Sequence, residues 1–329
     1  MATHVNKRAA VHIGAHAGAS RLLTDLTSTS AVGRIQLVEP FRKRVKTILL
    51  DNKYRLLGIA TRWMVPRTFS KSIAEARTFC CFIGHGRSGG TLVGALLNAH
   101  PNIVMSNELN ALRRIRIGMS EKALYRVIYV VSKRQALRGS LGGGGYSYSV
   151  PGQSQGSHKE LLVVGDRKAG ASAYEVITHP EILEQLDNIV RLRKRFIHVV
   201  RNPFDTIATT YHKTLPGDAQ TARLHLEREM HNYFLRCDAV QKVESRFGAA
   251  NVYFLHHEQL LAHPNQELEQ LCGFLEVPIY QEYLVACASI LMRTPHKTRT
   301  SVAWDSNWLT TVMRKMQNYH WLKRYSHAS

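Results

Sequence analysis

The segment from Thr78 to His100 constrains this chain more than any other. TFCCFIG (78–84) is a short apolar run, HGRSGGT (85–91) is a glycine-rich turn, and LVGALLNAH (92–100) places apolar residues at helical spacing. A strand, a tight turn and a helix in immediate succession belong to a parallel sheet covered by helices. Four glycines around the turn, Gly84, Gly86, Gly89 and Gly90, let backbone N–H groups converge on an anion, and the helix adds its positive N-terminal end. Arg87 contributes a fixed charge, and Ser88 and Thr91 contribute hydroxyls.

The alternation continues. Strands are expected at Ile103–Met105, LLVVGD (161–166), RFIHVV (195–200) and NVYFLHH (251–257). Helices are expected at about 109–137, 180–192, from Asn202-Pro203 onward, 219–246 and 265–275. The expected fold class is therefore α/β: a P-loop-like three-layer fold with a central parallel sheet flanked by helices.

Two segments stand outside this pattern. Residues 1–77 form a basic N-terminal extension, with 14 Lys/Arg against Asp25, Glu39, Asp51 and Glu75 and a Ser/Thr-rich patch at Thr24–Ser30. Within Phe41–Arg62, Val45, Ile48, Leu49, Leu56 and Ile59 fall at helical spacing among Arg and Lys. Such a helix either covers the main domain, the favoured alternative, or makes peripheral contact with a membrane surface. The main domain spans 78–329 and carries a Gly/Ser-rich insertion at 141–159, expected as a flexible loop: a lid over the site or a plain surface insertion. Cys80, Cys81, Cys237, Cys272 and Cys287 form no CxxC pair and are expected reduced and structural, as in a cytoplasmic protein. No signal peptide is visible, and no apolar stretch approaches the ~18 residues of a spanning helix.

The turn at 84–91 nearly fits the nucleoside-triphosphate pattern GxxxxGK[ST], with Gly84, Gly89 and Thr91 in register. Gly90 stands in place of the lysine that reaches the β- and γ-phosphates, and the cation comes three residues earlier, as Arg87. FIGHGRSGGTLVGALLNAHPNIVMSNE (82–108) resembles the 5′-phosphosulfate-binding segment of PAPS-dependent sulfotransferases, roughly FxxGxxRSGTTLLxxLLxxHPxxxxxxE. It is most similar to the branch holding tyrosylprotein and many bacterial sulfotransferases. Gly86 and Gly90 depart from that pattern, where Pro and Thr or Ser are usual.

HVVRNPFDTIATTYHK (198–213) is the second element. A strand delivers Arg201, Asn202-Pro203 starts a helix, and Thr209 follows eight residues after Arg201. Arginine plus a helical hydroxyl at the carboxyl edge of a sheet suits a phosphate monoester. The segment resembles the family's 3′-phosphate motif RxPxDxxxS, with Thr209 in the Ser position. The two motifs occur in the family's order, about 110 residues apart. NVYFLHHEQLLAHPNQELEQLCGFLEV (251–277) extends the resemblance, with His257 at the nucleotide edge. More loosely, His296-Lys297-Thr298-Arg299 is similar to the basic segment that folds over the nucleotide, making Lys297 and Arg299 phosphate contacts.

The resemblance implies PAPS (3′-phosphoadenosine 5′-phosphosulfate) as donor, adenosine 3′,5′-bisphosphate as product, and transfer to a hydroxyl or amine acceptor without a metal. Gly86, Arg87, Ser88, Gly89, Gly90 and Thr91 would hold the phosphosulfate, with Arg87 neutralising the sulfuryl group. Glu108, 21 residues after Arg87, stands where the tyrosylprotein branch carries its catalytic Glu. In Gly165-Asp166-Arg167-Lys168, similar to the family's GDK turn, either Arg167 or Lys168 meets the transferring group. His100 is a rival base, though the family's His-Pro ends a helix. His85 lies inside the loop and could contact the sulfate.

Two other readings compete. A P-loop kinase or nucleotidase shares the fold but lacks the lysine and an acidic Mg²⁺-binding strand end. A nucleic-acid-binding protein would use the net charge of +20, but aromatics are only 8% of the chain and do not cluster with the basic runs. No specific nucleic acid is expected. The acceptor is left open among carbohydrate, lipid, peptide and small molecule.

Overall fold

The structure, a computed structural model, describes residues 31–139, 146–213, 219–292 and 294–329, and only the backbone of residues 31–46, 219 and 220. The Thr24–Ser30 patch, the Val45 side chain and positions 141–145 of the insertion lie outside this set. By its contacts the chain divides into two units, Met1–Lys53 and Tyr54–Ser329. The described part of the first unit belongs to helix α1 (Ala31–Met64).

Within the second unit, a short helix α2 (Arg67–Ser72) precedes five strands and the helices that cover them. In chain order these are β1 (Thr78–Phe82), α3 (Gly90–Ala99), β2 (Ile103–Asn107), α4 (Ala111–Arg116), α5 (Glu121–Leu137), β3 (Val163–Arg167), α6 (Ala169–Thr178), α7 (Ile182–Ile189), β4 (Arg193–Val200), α8 (Pro203–His212), α9 (Ala219–Phe247), β5 (Val252–His256), α10 (His257–Ala262), α11 (Pro264–Leu275), α12 (Gln281–Ser289) and α13 (Ser306–Met316). The sheet is wholly parallel, in the order β2-β3-β1-β4-β5.

All five expected strands form. β1 is buried along its whole length, which explains why it reads as a continuous apolar run rather than an alternation. Its side chains still divide between two cores: Phe79 and Cys81 enter one, joined by Ile83 just past the strand, and Cys80 and Phe82 the other. All five cysteines are free and buried.

Two of the departures among the helices have plain physical causes. The basic segment expected as one helix over 109–137 is two, because Gly118 (φ 88°) follows α4 in a conformation a helix cannot continue. α6 was invisible to hydrophobic periodicity because its buried face is small: Ala169, Ser172, Ala173 and Val176.

The topology fixes where a ligand would bind. α3, leaving β1, packs Val93, Leu96 and Leu97 into one core. α8, leaving the adjacent β4, packs Phe204 and Ile207 into the other. Neighbouring strands that send their helices to opposite faces open a crevice at their carboxyl ends. Arg87 follows β1 and Arg201 follows β4.

Candidate active site

The loop after β1 holds its shape by crowding. Gly89 has φ 96°, and a Cβ there would lie 2.5 Å from Nδ1 of His257, so both its conformation and its neighbour require glycine. Arg87 has φ 67°, an unusual conformation for a residue with a side chain. Ser88 is buried, and its hydroxyl donates to the His85 carbonyl (3.1 Å), so it braces the turn from within. His85 stacks on Tyr233 with ring centres 3.9 Å apart, and its Nε2 lies 2.9 Å from the Tyr233 carbonyl. Burial pushes the His85 imidazole well below its usual range.

The corner after β4 is tighter. The Asn202 side chain caps α8 by accepting from the Phe204 N–H (3.0 Å), as expected of an Asn-Pro helix start. Arg201 is buried and donates from Nη1 to the Arg87 carbonyl (3.2 Å) and from Nη2 to the His296 carbonyl, while its Nε has no partner. Burial lowers the Arg201 guanidinium. The Thr209 hydroxyl donates to the Asp205 carbonyl (2.7 Å) and lies 2.9 Å from the Thr298 hydroxyl.

These two corners share one cavity of about 400 Å³. Of the residues expected from the sequence, Gly86, Arg87, Gly89, Gly90, Thr91, Arg201, Thr209 and His257 line it, joined by His85 and Arg167. Two buried nitrogens without partners, Nε of Arg201 and Nδ1 of His257, belong to this lining. A cavity with a cationic floor and unused buried polar atoms suits a polyanionic polar ligand. Tyr146, Ser147 and Tyr148, from within the Gly/Ser-rich insertion, form part of the wall.

Lys297 and Arg299 lie elsewhere. They line an adjacent cavity of about 320 Å³ with Asn202, Asp205 and Glu258. Arg299 is buried; its backbone N–H donates to Asp205 Oδ1 (2.8 Å), its Nη1 lies 3.6 Å from Asp205 Oδ2, and its Nη2 donates to the Ser329 carbonyl. That side chain is already committed to holding α8 and the segment 326–329.

Glu108 sits at the other flank, after β2, with φ 70°. Its carboxylate is gripped by Arg167 Nη2 and by Lys168 Nζ, and its N–H donates to the Arg167 carbonyl (3.2 Å). With 44% of the Glu108 side chain exposed, these pairs add little stability, about 0–1 kcal/mol each; their consequence is orientation. Of the doubled Arg-Lys pair, Arg167 lines the cavity and Lys168 does not. Burial brings the Arg167 guanidinium down to about 10, so it stays cationic at neutral pH, and burial also lowers Lys168.

What aims Glu108 escaped the sequence reading. Asp166 is fully buried and accepts from the Leu109 N–H (3.1 Å), the Ala111 N–H (3.0 Å) and the Ser106 hydroxyl (2.8 Å), pinning the turn that carries Glu108. Arg236 on α9 was also missed. A side chain at Gly170 would meet both the Gly86 nitrogen (3.2 Å) and Arg236 Nε (4.0 Å), and the Arg236 charge is felt at His85 in the loop, from a helix with no motif. His100 is buried in the turn after α3: its Nδ1 accepts from the Asn102 N–H (3.1 Å), leaving Nε2 to donate to the Pro278 carbonyl (3.0 Å). Burial takes its imidazole down to about 4. Both nitrogens are engaged by backbone groups, and His100 does not line the cavity.

The family described as the sulfotransferase family matches residues 81–282. Similar solved structures include sulfotransferase STF9 from Mycobacterium avium (TM-score 0.46, 10% identity, covering 90% of this chain and 88% of that one). Another is the sulfotransferase domain from the curacin biosynthetic pathway (0.44, 16%, 74% and 98%). A third is mouse sulfotransferase SULT7A1 complexed with PAP (0.43, 15%, 77% and 89%). No curated protein matches the sequence.

Proposed function

The chain belongs to the sulfotransferase family, and on that premise we propose that it moves the sulfuryl group of PAPS to a hydroxyl or amine acceptor, with Glu108 as base. The single observation that carries this reading is the shared cavity. Arg87 and its loop, Arg201 and Thr209 open into one space, at the spacing of two motifs that read as sites for a phosphosulfate and a phosphate monoester. Solved relatives complexed with PAP support the donor.

In this reading the loop N–H groups and Arg87 hold the phosphosulfate, while Arg201 and Thr209 hold the 3′-phosphate. The acceptor oxygen or nitrogen attacks sulfur in line, the sulfur–bridging oxygen bond breaks, and its electron pair leaves with adenosine 3′,5′-bisphosphate. Glu108 takes the acceptor proton. Arg167 and Lys168 grip the same carboxylate, and Arg167 also lines the cavity. As charge builds on the transferring group they can shift toward it, freeing an oxygen of Glu108 for the proton. Similarity of the 82–108 segment to the tyrosylprotein branch supports Glu108 in this role. Five buried free thiols support a reducing, cytoplasmic setting.

Labelled PAPS incubated with an acceptor extract tests the assignment. Glu108→Gln should lower turnover by about 10²–10⁴-fold and leave adenosine 3′,5′-bisphosphate binding intact. Full activity in that variant removes Glu108 as base. Stabilisation by ATP with Mg²⁺ but not by the bisphosphate removes the donor assignment.

A further inference from the structure

We propose that the outward face of α1 between Leu56 and Met64 docks on an anionic lipid bilayer. This surface is independent of the sulfuryl-transfer reading. Leu56, Ile59, Trp63 and Met64 are 67%, 61%, 89% and 50% exposed. They recur at helical spacing and so form one stripe rather than scattered residues. The opposite face of the same turns is the one that meets the core: Tyr54 and Leu57 pack on it, and Gly58 and Thr61 are buried. The stripe that the sequence offered as a core-covering face, through Leu56 and Ile59, is therefore the one left to solvent.

Charge selects the occupant. No acid occurs between Asp51 and Glu75, whereas Arg55, Arg62, Arg67 and Lys71 do. Among the described residues none of these four is shown in an ion pair. Arg62 also neighbours Arg126 on α5, whose buried Nε has no hydrogen-bond partner; burial and then Arg62 lower that guanidinium. Two adjacent guanidiniums with no carboxylate between them are matched by lipid phosphates. A second copy would bring the same cations face to face on a chain of net charge +20. A nucleic acid would leave the apolar stripe unmatched. An anionic bilayer satisfies both halves, with Trp63 suited to the headgroup level, where an apolar ring with one N–H donor is favoured.

The test is co-sedimentation of the purified full chain with phosphatidylcholine vesicles, with and without a quarter of phosphatidylglycerol. Binding is expected with phosphatidylglycerol, falling as salt rises. Leu56→Ser/Trp63→Ser should cut partitioning by about tenfold or more, since each side chain loses its apolar burial. Arg55→Glu/Arg62→Glu should cut it by about tenfold and abolish the preference for phosphatidylglycerol. Melting temperatures must match that of the parent chain; if the double serine variant melts low, Ile59→Ser alone should still lower partitioning severalfold. The proposal is overturned if the parent chain ignores phosphatidylglycerol vesicles or if the variants bind as it does. It is equally overturned if the serine variant turns a dimer into a monomer without changing lipid binding.

Discussion

Arg87 and Arg201 occupy neighbouring corners of one cavity, yet they are held in opposite ways. Arg87 is exposed, sits on a loop with a left-handed backbone, and has no ion pair among the described residues. Arg201 is buried, and two of its nitrogens already bond backbone carbonyls, one of them that of Arg87. A phosphate monoester keeps its charge throughout a transfer, so a fixed cation serves it. A sulfuryl group in flight changes its charge distribution, and a cation free to follow it stabilises the transition state more than the ground state. Conformational strain at Arg87 and Glu108, both with positive φ, belongs to the same side of the comparison.

The largest expected effect follows from that difference. Arg87→Ala should lower turnover at saturating donor by about 10²–10³-fold, as loss of a transition-state charge contact does. Arg201→Ala should act through affinity, weakening adenosine 3′,5′-bisphosphate about 10–10²-fold, the worth of hydrogen bonds to a charged group. Initial rates and calorimetric titration separate the two. If both variants lose kcat and affinity in the same proportion, the division of labour between the corners does not exist.

The two corners were also unequally legible in the sequence. The loop at 84–91 and the Arg201/Asn202-Pro203 start both announce themselves, because their chemistry depends on glycine, proline and capping residues at short spacing. The strands were legible for a similar reason: β1, β2 and β3, buried along all or nearly all of their length, and the buried half of β4 read as compact apolar runs. Long-range pairings were not. Nothing in GDRK says that Asp166 will bond the Leu109 and Ala111 amides, or that Arg167 will line the cavity while Lys168 does not. Those facts arise from the β2–β3 register, in which Ser106 pairs with Asp166 and Asn107 with Arg167. The surroundings of Arg299 were illegible for the complementary reason. A basic residue near a phosphate motif looks like a ligand contact until its burial against Asp205 is seen.

A smaller effect sharpens the mobile side. A Cβ at Gly94 would lie 2.8 Å from Cγ and 3.0 Å from Cβ of Arg167, atoms close to the backbone that cannot easily swing away. Gly94→Ala should displace the Arg167 guanidinium from Asn107 and Glu108. We expect kcat to fall about tenfold, in line with small misplacements of catalytic groups, with bisphosphate affinity unchanged. An equal loss of affinity would assign Arg167 to nucleotide binding instead.

The smallest effect concerns the residue between the corners. His257 lies against Gly89 and near Arg201; burial is the main cause, and Arg201 a lesser one, that lowers its imidazole to about 4. A histidine whose folded pKa lies below its unfolded value of about 6.5 contributes stability that is present above that value and lost as pH falls toward the folded pKa. His100 (about 4) and His198 (about 3) set a background of the same sign. In His257→Gln the loss of stability between pH 7.5 and pH 5 should therefore be smaller than in the parent chain by about 1–2 kcal/mol, read as a shallower fall in melting temperature. Saturating adenosine 3′,5′-bisphosphate should flatten the parent chain's curve, because phosphate charge beside the imidazole raises its pKa, and should leave the variant's slope nearly as it was. If the nucleotide leaves the parent slope unchanged as well, no phosphate sits near His257, and the two corners do not hold the ends of one ligand.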